Sequence, residues 1–269
     1  MSLAADNEFA KIFGNSQNAL VQIGKHMVHQ GGINAASFIP YDYSGIEINN
    51  VEFTSSSNHK VGLAVTNQTS VTGMIIKDCK FNNLDYGIYD DASASGSYRK
   101  RAQMEIDSCI FKDINEHALY AETLKDSIIK NCNFEDVYRG VQLYYGNHGY
   151  YEADGNSVAN IGNVTIENSI FNNVGRNASQ AWAPTLYYNG GAIVVQAEKI
   201  SVVGIKLINC TITNNERGVS LSAYGSYSLE AKIINCDIYD NIKQNGDAPD
   251  NASPYGNLII SGNIMVSDM

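Results

Sequence analysis

Glu116, His117 and Arg139 are the residues of this sequence whose types and spacing could support acid–base chemistry. Glu116 precedes Arg139 by 23 residues, which is also the step from Cys109 to Cys132 in a repeated sequence pattern. A chain that repeats with this step places the two side chains side by side. An arginine can neutralise a substrate carboxylate, and a histidine can then remove the neighbouring proton. The group predicts a β-elimination site, although an ordinary surface ion pair has the same composition.

Asp91 and Tyr144 extend this candidate site along positions that should face outward, and Tyr144 is an alternative base. Aligning the repeats gives two outward columns: Tyr89, Leu119, Gln142, Val194 and Ser220, then Asp91, Ala121, Tyr144, Gln196 and Ser222. Asp90 and Asp91 with Glu122 are candidate calcium ligands, but they fall short of the about six to eight oxygens that Ca²⁺ takes. The sequence therefore predicts no cofactor and no metal site, with calcium as the weaker alternative.

Tyrosines and the single tryptophan concentrate in segments that interrupt the repeats. The candidate substrate-binding residues are Tyr144, Tyr145, Tyr150, Tyr151, Trp182, Tyr187 and Tyr188. Such side chains combine a flat apolar face with a polar group, which suits sugar rings. Segments inserted at equivalent positions of successive repeats emerge on one face of a repeat protein, which is often the binding face. The alternative is that these aromatic residues cover small cores within their own loops.

The positions of all these candidates follow from one degenerate eight-residue repeat. It reads apolar, any, apolar, any, Asn or Asp, Cys-like, any, Phe or Ile. Its copies are Ile46–Phe53, Met74–Phe81, Met104–Phe111, Ser127–Phe134, Val164–Phe171, Ile205–Ile212, Ala231–Ile238 and a frayed Leu258–Met265. Self-similarity with a period of about 20–50 residues is typical of a solenoid.

Within each copy the apolar residues alternate, which is the spacing of a strand. Asn or Asp then occurs where the strand must bend, because these residues tolerate the left-handed backbone. A second short strand follows, preceded by Gly87, Gly140 or Gly218 in three of the copies. Stacked coils place identical residues about 4.8 Å apart. The repeat predicts an all-β, single-stranded parallel β-helix of roughly eight coils with ladders of Cys, Phe/Ile and Asn.

The five cysteines all occupy the same column of the repeat, in which Val51 and Ser169 stand in other copies. A free cysteine packs like a small apolar residue. Side chains stacked side by side rarely have disulfide geometry. We expect Cys79, Cys109 and Cys132 to be buried and reduced.

The phrases IKNCNF, IENSIF, LINCTI and IINCDI resemble the right-handed parallel β-helix repeats of the pectate-lyase-like superfamily. The resemblance runs from Ile46 to the end of the chain and implies a right-handed coil. The superfamily contains polysaccharide lyases, glycoside hydrolases and adhesins, so the resemblance does not settle the chemistry. The signatures of pectate lyases, pectin methylesterases and polygalacturonases are not present.

Composition and the chain ends indicate which partners to expect and where the domain begins and ends. Eighteen Lys and Arg against 28 Asp and Glu give a net charge of −10, which disfavours nucleic acid as a partner. No apolar run is long enough for a transmembrane helix. We expect one β-helix domain over 1–269, with a long loop in the last coil at 243–269. Residues 1–18 would be an N-terminal cap, for which Phe9, Ile12 and Phe13 have helical spacing, or a trimmed coil.

Two interpretations follow for function. The first is a secreted or cell-surface protein, its signal peptide already removed, that binds a polysaccharide and cleaves it as a lyase or hydrolase. The second is a non-catalytic adhesin or structural surface protein. A polysaccharide or surface glycan is the expected partner in both, and the sequence leaves the oligomeric state open.

Overall fold

The computed structural model of the chain describes residues 2–3, 10–13, 19–24, 41–56, 61–65, 69–90, 101–146, 160–175, 191–241 and 256–267. Every regular element in these ranges is a strand. In chain order the strands are β1 (Ser2–Leu3), β2 (Ala10–Phe13), β3 (Val21–Ile23), β4 (Tyr41–Ser44), β5 (Glu47–Asn49), β6 (Val51–Thr54), β7 (Val61–Val65), β8 (Thr69–Lys77), β9 (Lys80–Asp90), β10 (Ala102–Asp107), β11 (Ile110–Ala121), β12 (Ser127–Lys130), β13 (Asn133–Tyr145), β14 (Asn160–Gly162), β15 (Val164–Glu167), β16 (Ile170–Asn172), β17 (Gly191–Ala197), β18 (Ser201–Ile208), β19 (Thr211–Thr213), β20 (Arg217–Ala223), β21 (Leu229–Ile234), β22 (Asp237–Tyr239), β23 (Gly256–Ser261) and β24 (Ile264–Ser267).

Each strand pairs in parallel with its equivalent one coil away. The first sheet follows the path β1-β5-β8-β10-β12-β15-β18-β21-β24, with β4 and β14 beside it. The second sheet contains the path β2-β6-β9-β11-β13-β16-β19-β22, and β3, β7, β17, β20 and β23 extend it around the third side of the coils. The nine strands of the first path correspond to eight coils and the first strand of another, which confirms the predicted parallel β-helix.

The N-terminal residues that the structure describes belong to the stack of coils. β2 pairs with β6 in a register that places Ile12 opposite Phe53. The helical interpretation of this segment is therefore wrong for residues 10–13. Three apolar residues in so short a stretch cannot separate helix from strand, whereas the edge of β6 offers backbone hydrogen bonds to a strand.

The predicted aromatic ladder runs through the core. The rings of Phe53, Phe81, Phe111, Phe134 and Phe171 form a continuous stack with centroids 4.4–4.8 Å apart and ring planes within 5° of parallel. All five side chains are fully buried. Because the coil spacing is close to the centroid distance that offset, stacked aromatic rings prefer, one residue type can repeat in this column without strain.

The cysteine column packs beside the phenylalanines, and all five thiols are free. Four are buried, which confirms the predicted reduced ladder, and Cys236 in the last of these coils is half-buried. Each thiol donates to the carbonyl oxygen two residues before it, as in the 3.3 Å contact from Cys109 Sγ to Asp107. Hydrogen bonds with the thiols of Cys132 and Cys79, together with burial, raise the pKa of Cys109.

The bend before the cysteine column has left-handed backbone in the seven copies that precede the frayed last one. Its seven residues, Asn50, Asp78, Ser108, Asn131, Asn168, Asn209 and Asn235, have φ between 49° and 56°. This confirms the predicted turn. One amide bond between coils is present in this column, from Asn209 Nδ2 to Asn168 Oδ1 at 3.2 Å.

A buried amide ladder lies at a different bend, three residues after the Phe/Ile position. Asn215 Nδ2 donates to Asn241 Oδ1 at 2.8 Å, and Asn241 Nδ2 donates to Asn257 Oδ1 at 3.0 Å. The same nitrogens donate to backbone carbonyl oxygens of Phe171 and Ile212. Asn215 and Asn241 are buried because they satisfy main-chain groups inside the turn, whereas Asn257 at the end of the ladder is exposed.

Candidate functional site

The third side of the coils bends inward at the glycine column. A Cβ atom on Gly87 would lie 2.5 Å from the carbonyl oxygen of Ala118 and 2.9 Å from Cδ1 of Phe111. Gly140 is equally crowded. The backbone therefore lies directly against the phenylalanine stack and the next coil.

Side chains three residues apart meet on the outside of this bend. The rings of Tyr86 and Tyr89 lie edge to face with centroids 4.9 Å apart, and those of His117 and Tyr120 do the same at 5.0 Å. We call this surface the corner groove and define it by Tyr86, Tyr89, His117, Tyr120, Arg139, Gln142 and Tyr144. Its residues come from three successive coils, in β9, β11 and β13.

A one-residue bulge in β11 sets which side chains enter the corner groove. Ile114 pairs with Leu84, but the next registered pair is His117 with Tyr86, so Asn115 and Glu116 together oppose one residue. Bulges of this kind redirect the side chains that follow them.

The bulge overturns two of the columns expected from the repeats. Tyr120, and not Leu119, lies beside Tyr89. Glu122, and not Ala121, takes the place beside Tyr144, because Ala121 pairs with Leu143. Leu119 and Ala121 are buried in the core. Glu116 is likewise displaced, because the registered neighbour of Arg139 is His117.

His117 lies at the bottom of the corner groove and is only 5 % exposed. Its ring stacks on Tyr86 with centroids 5.3 Å apart. Nε2 lies 2.6 Å from Oε1 of Gln142 and 2.9 Å from Nη1 of Arg139. Within the part of the chain that the structure describes, Nδ1 has no hydrogen-bond partner. Burial, followed by the charge of Arg139, holds the pKa of His117 well below its usual range, so the ring is neutral at neutral pH.

Charged residues of both signs lie around Tyr138, which precedes Arg139 in the chain. Arg139 is 5 % exposed, and its guanidinium lies 4.8 Å from the ring centre of Tyr138. Burial raises the pKa of Tyr138, Arg139 and Arg217 lower it, and Glu216 and Glu116 raise it. Two arginines and two glutamates therefore act on one phenol. The Glu116 carboxylate also contributes, after burial, to a Tyr86 pKa of about 12.

The tyrosines of the corner groove stack on each other, and the hydroxyls of two of them bind neighbouring carboxylates. Tyr89 and Tyr120 stack with centroids 5.2 Å apart, and Tyr144 follows Tyr120 at 6.4 Å with a tilt of 32°. The Tyr120 hydroxyl donates to Glu122 at 2.6 Å, and the Tyr144 hydroxyl donates to Glu198 at 2.9 Å. These phenolic oxygens keep lone pairs that can accept hydrogen bonds from a ligand.

Tyr145 does not belong to an exposed aromatic surface. It is fully buried, and its hydroxyl donates to the carbonyl oxygen of Leu124 at 2.7 Å. Side chains alternate along β13, so Tyr145 points inward where Tyr144 points outward. Its predicted place on the binding face is therefore wrong.

Several predicted residues lie outside the described residues: Asp91, Tyr150, Tyr151, Trp182, Tyr187 and Tyr188. Asp90 is described and is fixed in the core, where its Oδ2 accepts from the backbone N–H and the hydroxyl of Thr123. Across the described ranges, no group of three or more His, Cys, Asp or Glu residues is placed to hold a metal ion.

Sequence reasoning did not select Tyr120, Gln142 and Gln196 as site residues. Gln142 Nε2 donates to Gln196 Oε1 at 2.7 Å, which links His117 through Gln142 to a third coil. All three positions are polar in a face-forming strand, which was an available signal. The bulge changes the register of Tyr120, so its outward position could not be derived from the repeat. The two glutamines gave no signal because glutamine has no characteristic catalytic spacing.

Comparison with known proteins gives one match. The family model of the right-handed β-helix region matches residues 12–238, which is most of the chain. No curated protein and no solved structure matches this chain. In the described part of the chain, no helix is long and apolar enough to cross a membrane.

Proposed function

We propose that this chain, which belongs to the right-handed β-helix family, acts at or outside the cell surface, where it binds a polysaccharide along the corner groove and cleaves a uronate linkage by β-elimination. The observation that carries the proposal is the contact between a buried, neutral histidine and an arginine, with Nε2 of His117 2.9 Å from Nη1 of Arg139. Elimination needs a cation to neutralise the uronate carboxylate and a neutral base for the adjacent proton. This pair supplies both.

The reaction then proceeds with balanced charges. Arg139 binds the carboxylate and acidifies the proton on the carbon next to it. Once Arg139 has turned to the carboxylate, the ring proton of His117 lies on Nε2, so Nδ1 has the lone pair and takes the proton from the substrate. The electrons of the C–H bond form a carbon–carbon double bond. The glycosidic C–O bond at the next carbon breaks, the leaving oxygen takes a proton from solvent, and His117 later returns its proton to solvent.

The walls of the groove suit a linear glycan that runs along the axis of the coils. Equivalent positions recur about every 4.8 Å, and Tyr89, Tyr120 and Tyr144 follow one another along this direction. Their phenolic oxygens and the half-buried carboxylate of Glu198 accept hydrogen bonds. Sugar hydroxyls donate them, so the wall matches the most abundant group on a polysaccharide.

One observation favours a non-catalytic surface protein as the second candidate. His117 and Arg139 are each only 5 % exposed, and Arg139 lies near Glu116 and Glu216 around Tyr138. A buried charge cluster of this composition can serve to fix the shape of the corner. Substrate reaches Nδ1 only if the side chains at the rim separate.

The test is an assay for unsaturated uronate products on pectate, alginate and glycosaminoglycans, with binding measured on the same panel. We expect an ultraviolet-absorbing product from at least one of them. Arg139→Ala and His117→Ala should each reduce its rate by about 100-fold or more. Arg101→Ala, which removes an arginine beside the first sheet, is the matched control and should leave the rate unchanged.

Two results would count against this proposal. Binding of a glycan without any product would support the adhesin interpretation. Product formation that survives both Arg139→Ala and His117→Ala would place the chemistry elsewhere in the molecule.

A further inference from the structure

Nε2 of His117 faces one hydrogen-bond acceptor and one hydrogen-bond donor. It can carry a proton and donate to Oε1 of Gln142 at 2.6 Å, or carry a lone pair and accept from Nη1 of Arg139 at 2.9 Å. A neutral imidazole has one proton for its two nitrogens. The guanidinium is always a donor, so both hydrogen bonds cannot form in the same neutral state.

Each alternative fixes the other ring nitrogen. When Nε2 is protonated, Nδ1 has the lone pair and can act as a base. When Nε2 accepts from Arg139, Nδ1 carries the proton and cannot. The catalytic competence of His117 therefore depends on which neighbour holds Nε2.

Gln196 takes part in this choice although it lies one coil beyond Gln142. Its Oε1 accepts from Gln142 Nε2 at 2.7 Å, which turns Oε1 of Gln142 toward His117. A half-turn of both amides exchanges donors and acceptors with little change in shape. Gln142 would then present its NH₂ group to Nε2 and match the state in which Arg139 donates.

Each of the two states leaves one buried N–H donor without a hydrogen-bond partner. In the described residues, the first state leaves Nε2 of the fully buried Gln196 without a partner. The second state gives that nitrogen a partner in Gln142 but leaves a buried N–H at Nδ1 of His117, which likewise has none. A buried donor without a partner is unfavourable in either state, so this contribution favours neither of them strongly.

We propose that Arg139 and the Gln142–Gln196 pair compete for Nε2 of His117, so that a ligand carboxylate that draws Arg139 away selects the tautomer whose Nδ1 is free to act as base. The proposal rests on the proposed function, because the carboxylate is that of the uronate. Gln142 and Gln196 are positioning residues in this scheme. A ligand shifts such an equilibrium only by its differential interaction with the two states, and Arg139 provides that difference.

The test reads the tautomer directly, by ¹⁵N NMR of ligand-free protein labelled at histidine, with His117 assigned from the signals lost in His117→Phe. Arg139→Met reproduces the withdrawal of the arginine and should shift His117 toward the Nε2–H form. Gln196→Met should shift it toward the Nδ1–H form, although Gln196 does not touch the histidine. Gln142→Met should act in the same direction as Gln196→Met, and it serves if Gln196→Met does not fold.

Two controls match these changes. Arg217→Met removes the arginine two coils further along the same column, and Gln103→Met removes a partly exposed glutamine of the first sheet. Both should leave the His117 signals unchanged. The competition is overturned if Arg139→Met and the glutamine variants shift the tautomer in the same direction or not at all. That result is independent of the cleavage assay, because no substrate is present.

Discussion

The phenylalanine stack and the corner groove belong to the same coils, but they differ in how far the residue type is kept from one coil to the next. In the stack, one side-chain type recurs from Phe53 to Phe171 with nearly constant geometry. In the groove, the column that contains Val61 changes to Tyr86, then to His117 and then to Arg139. A column that varies from coil to coil in this way is where a repeat protein departs from its own pattern.

The stack and the groove also differ in how much their burial contributes to the free energy of folding. Burying aromatic rings against one another stabilises the coil. Burying His117, Arg139 and Gln142 requires partners for each polar group, and an unpaired one costs about 1–3 kcal/mol. Nδ1 of His117 is such a group in the described structure. The groove therefore adds less to stability than its burial suggests, which supports a role in binding.

The largest effect should come from breaking the stack. Phe111→Ala leaves a cavity between the rings of Phe81 and Phe134, which both pack on it at 4.8 Å. We expect the free energy of unfolding to fall by about 3–5 kcal/mol, measured by chemical denaturation.

Tyr144→Ala is the comparison from the groove and should cost clearly less, because its ring is partly exposed and only tilted against Tyr120. Equal losses for the two variants would contradict the distinction between the stack and the groove.

The same distinction explains what the sequence could predict. Cys109 and Phe111 recur at fixed positions of the repeat because stacking selects the same residue in each coil, so the parallel coil and its core could be derived. A bulge at Asn115 and Glu116 adds a single residue without any change in the recurring motif. Register beyond that point could not be derived, and for this reason Tyr120 was missed and Leu119 was placed outside.

The hydrogen-bond partners of His117 within the groove could not be predicted from the sequence either. The contacts of Nε2 of His117 with Gln142 and Arg139 depend on the position of the backbone at the glycine column. Gly87 lies close to Phe111 there, and no local sequence pattern specifies that distance. The spacing of His117 and Arg139 by one coil was predictable, and the register confirms that they are neighbours.

A smaller effect should appear as a pH dependence of stability that originates in the groove. Burial and Arg139 lower the pKa of folded His117, whereas an unfolded histidine titrates near about 6.5. Below that value the unfolded chain binds a proton that the folded chain excludes. Stability is therefore greatest above about pH 6.5 and decreases as the pH falls toward the lower folded pKa, by up to about 1.4 kcal/mol per pH unit.

His117→Gln should remove this component. The measurement is the free energy of unfolding of both proteins between neutral and mildly acidic pH, where the difference between the two curves isolates the histidine from the carboxylates. Curves that stay parallel over this range would show that His117 titrates alike in the folded and unfolded chain.

The smallest effect should come from changing chemistry inside the core while keeping its shape. Ser169 already occupies the cysteine column, where its hydroxyl donates to the Glu167 carbonyl at 2.8 Å and accepts from the N–H of Cys132 at 3.1 Å. The thiol of Cys109 makes the equivalent contact with Asp107. Cys109→Ser should therefore cost about 1 kcal/mol or less, measured by chemical denaturation beside Phe111→Ala. A loss of several kcal/mol would mean that the thiols stabilise the coil through more than their size, and the core column would then be as residue-specific as the groove.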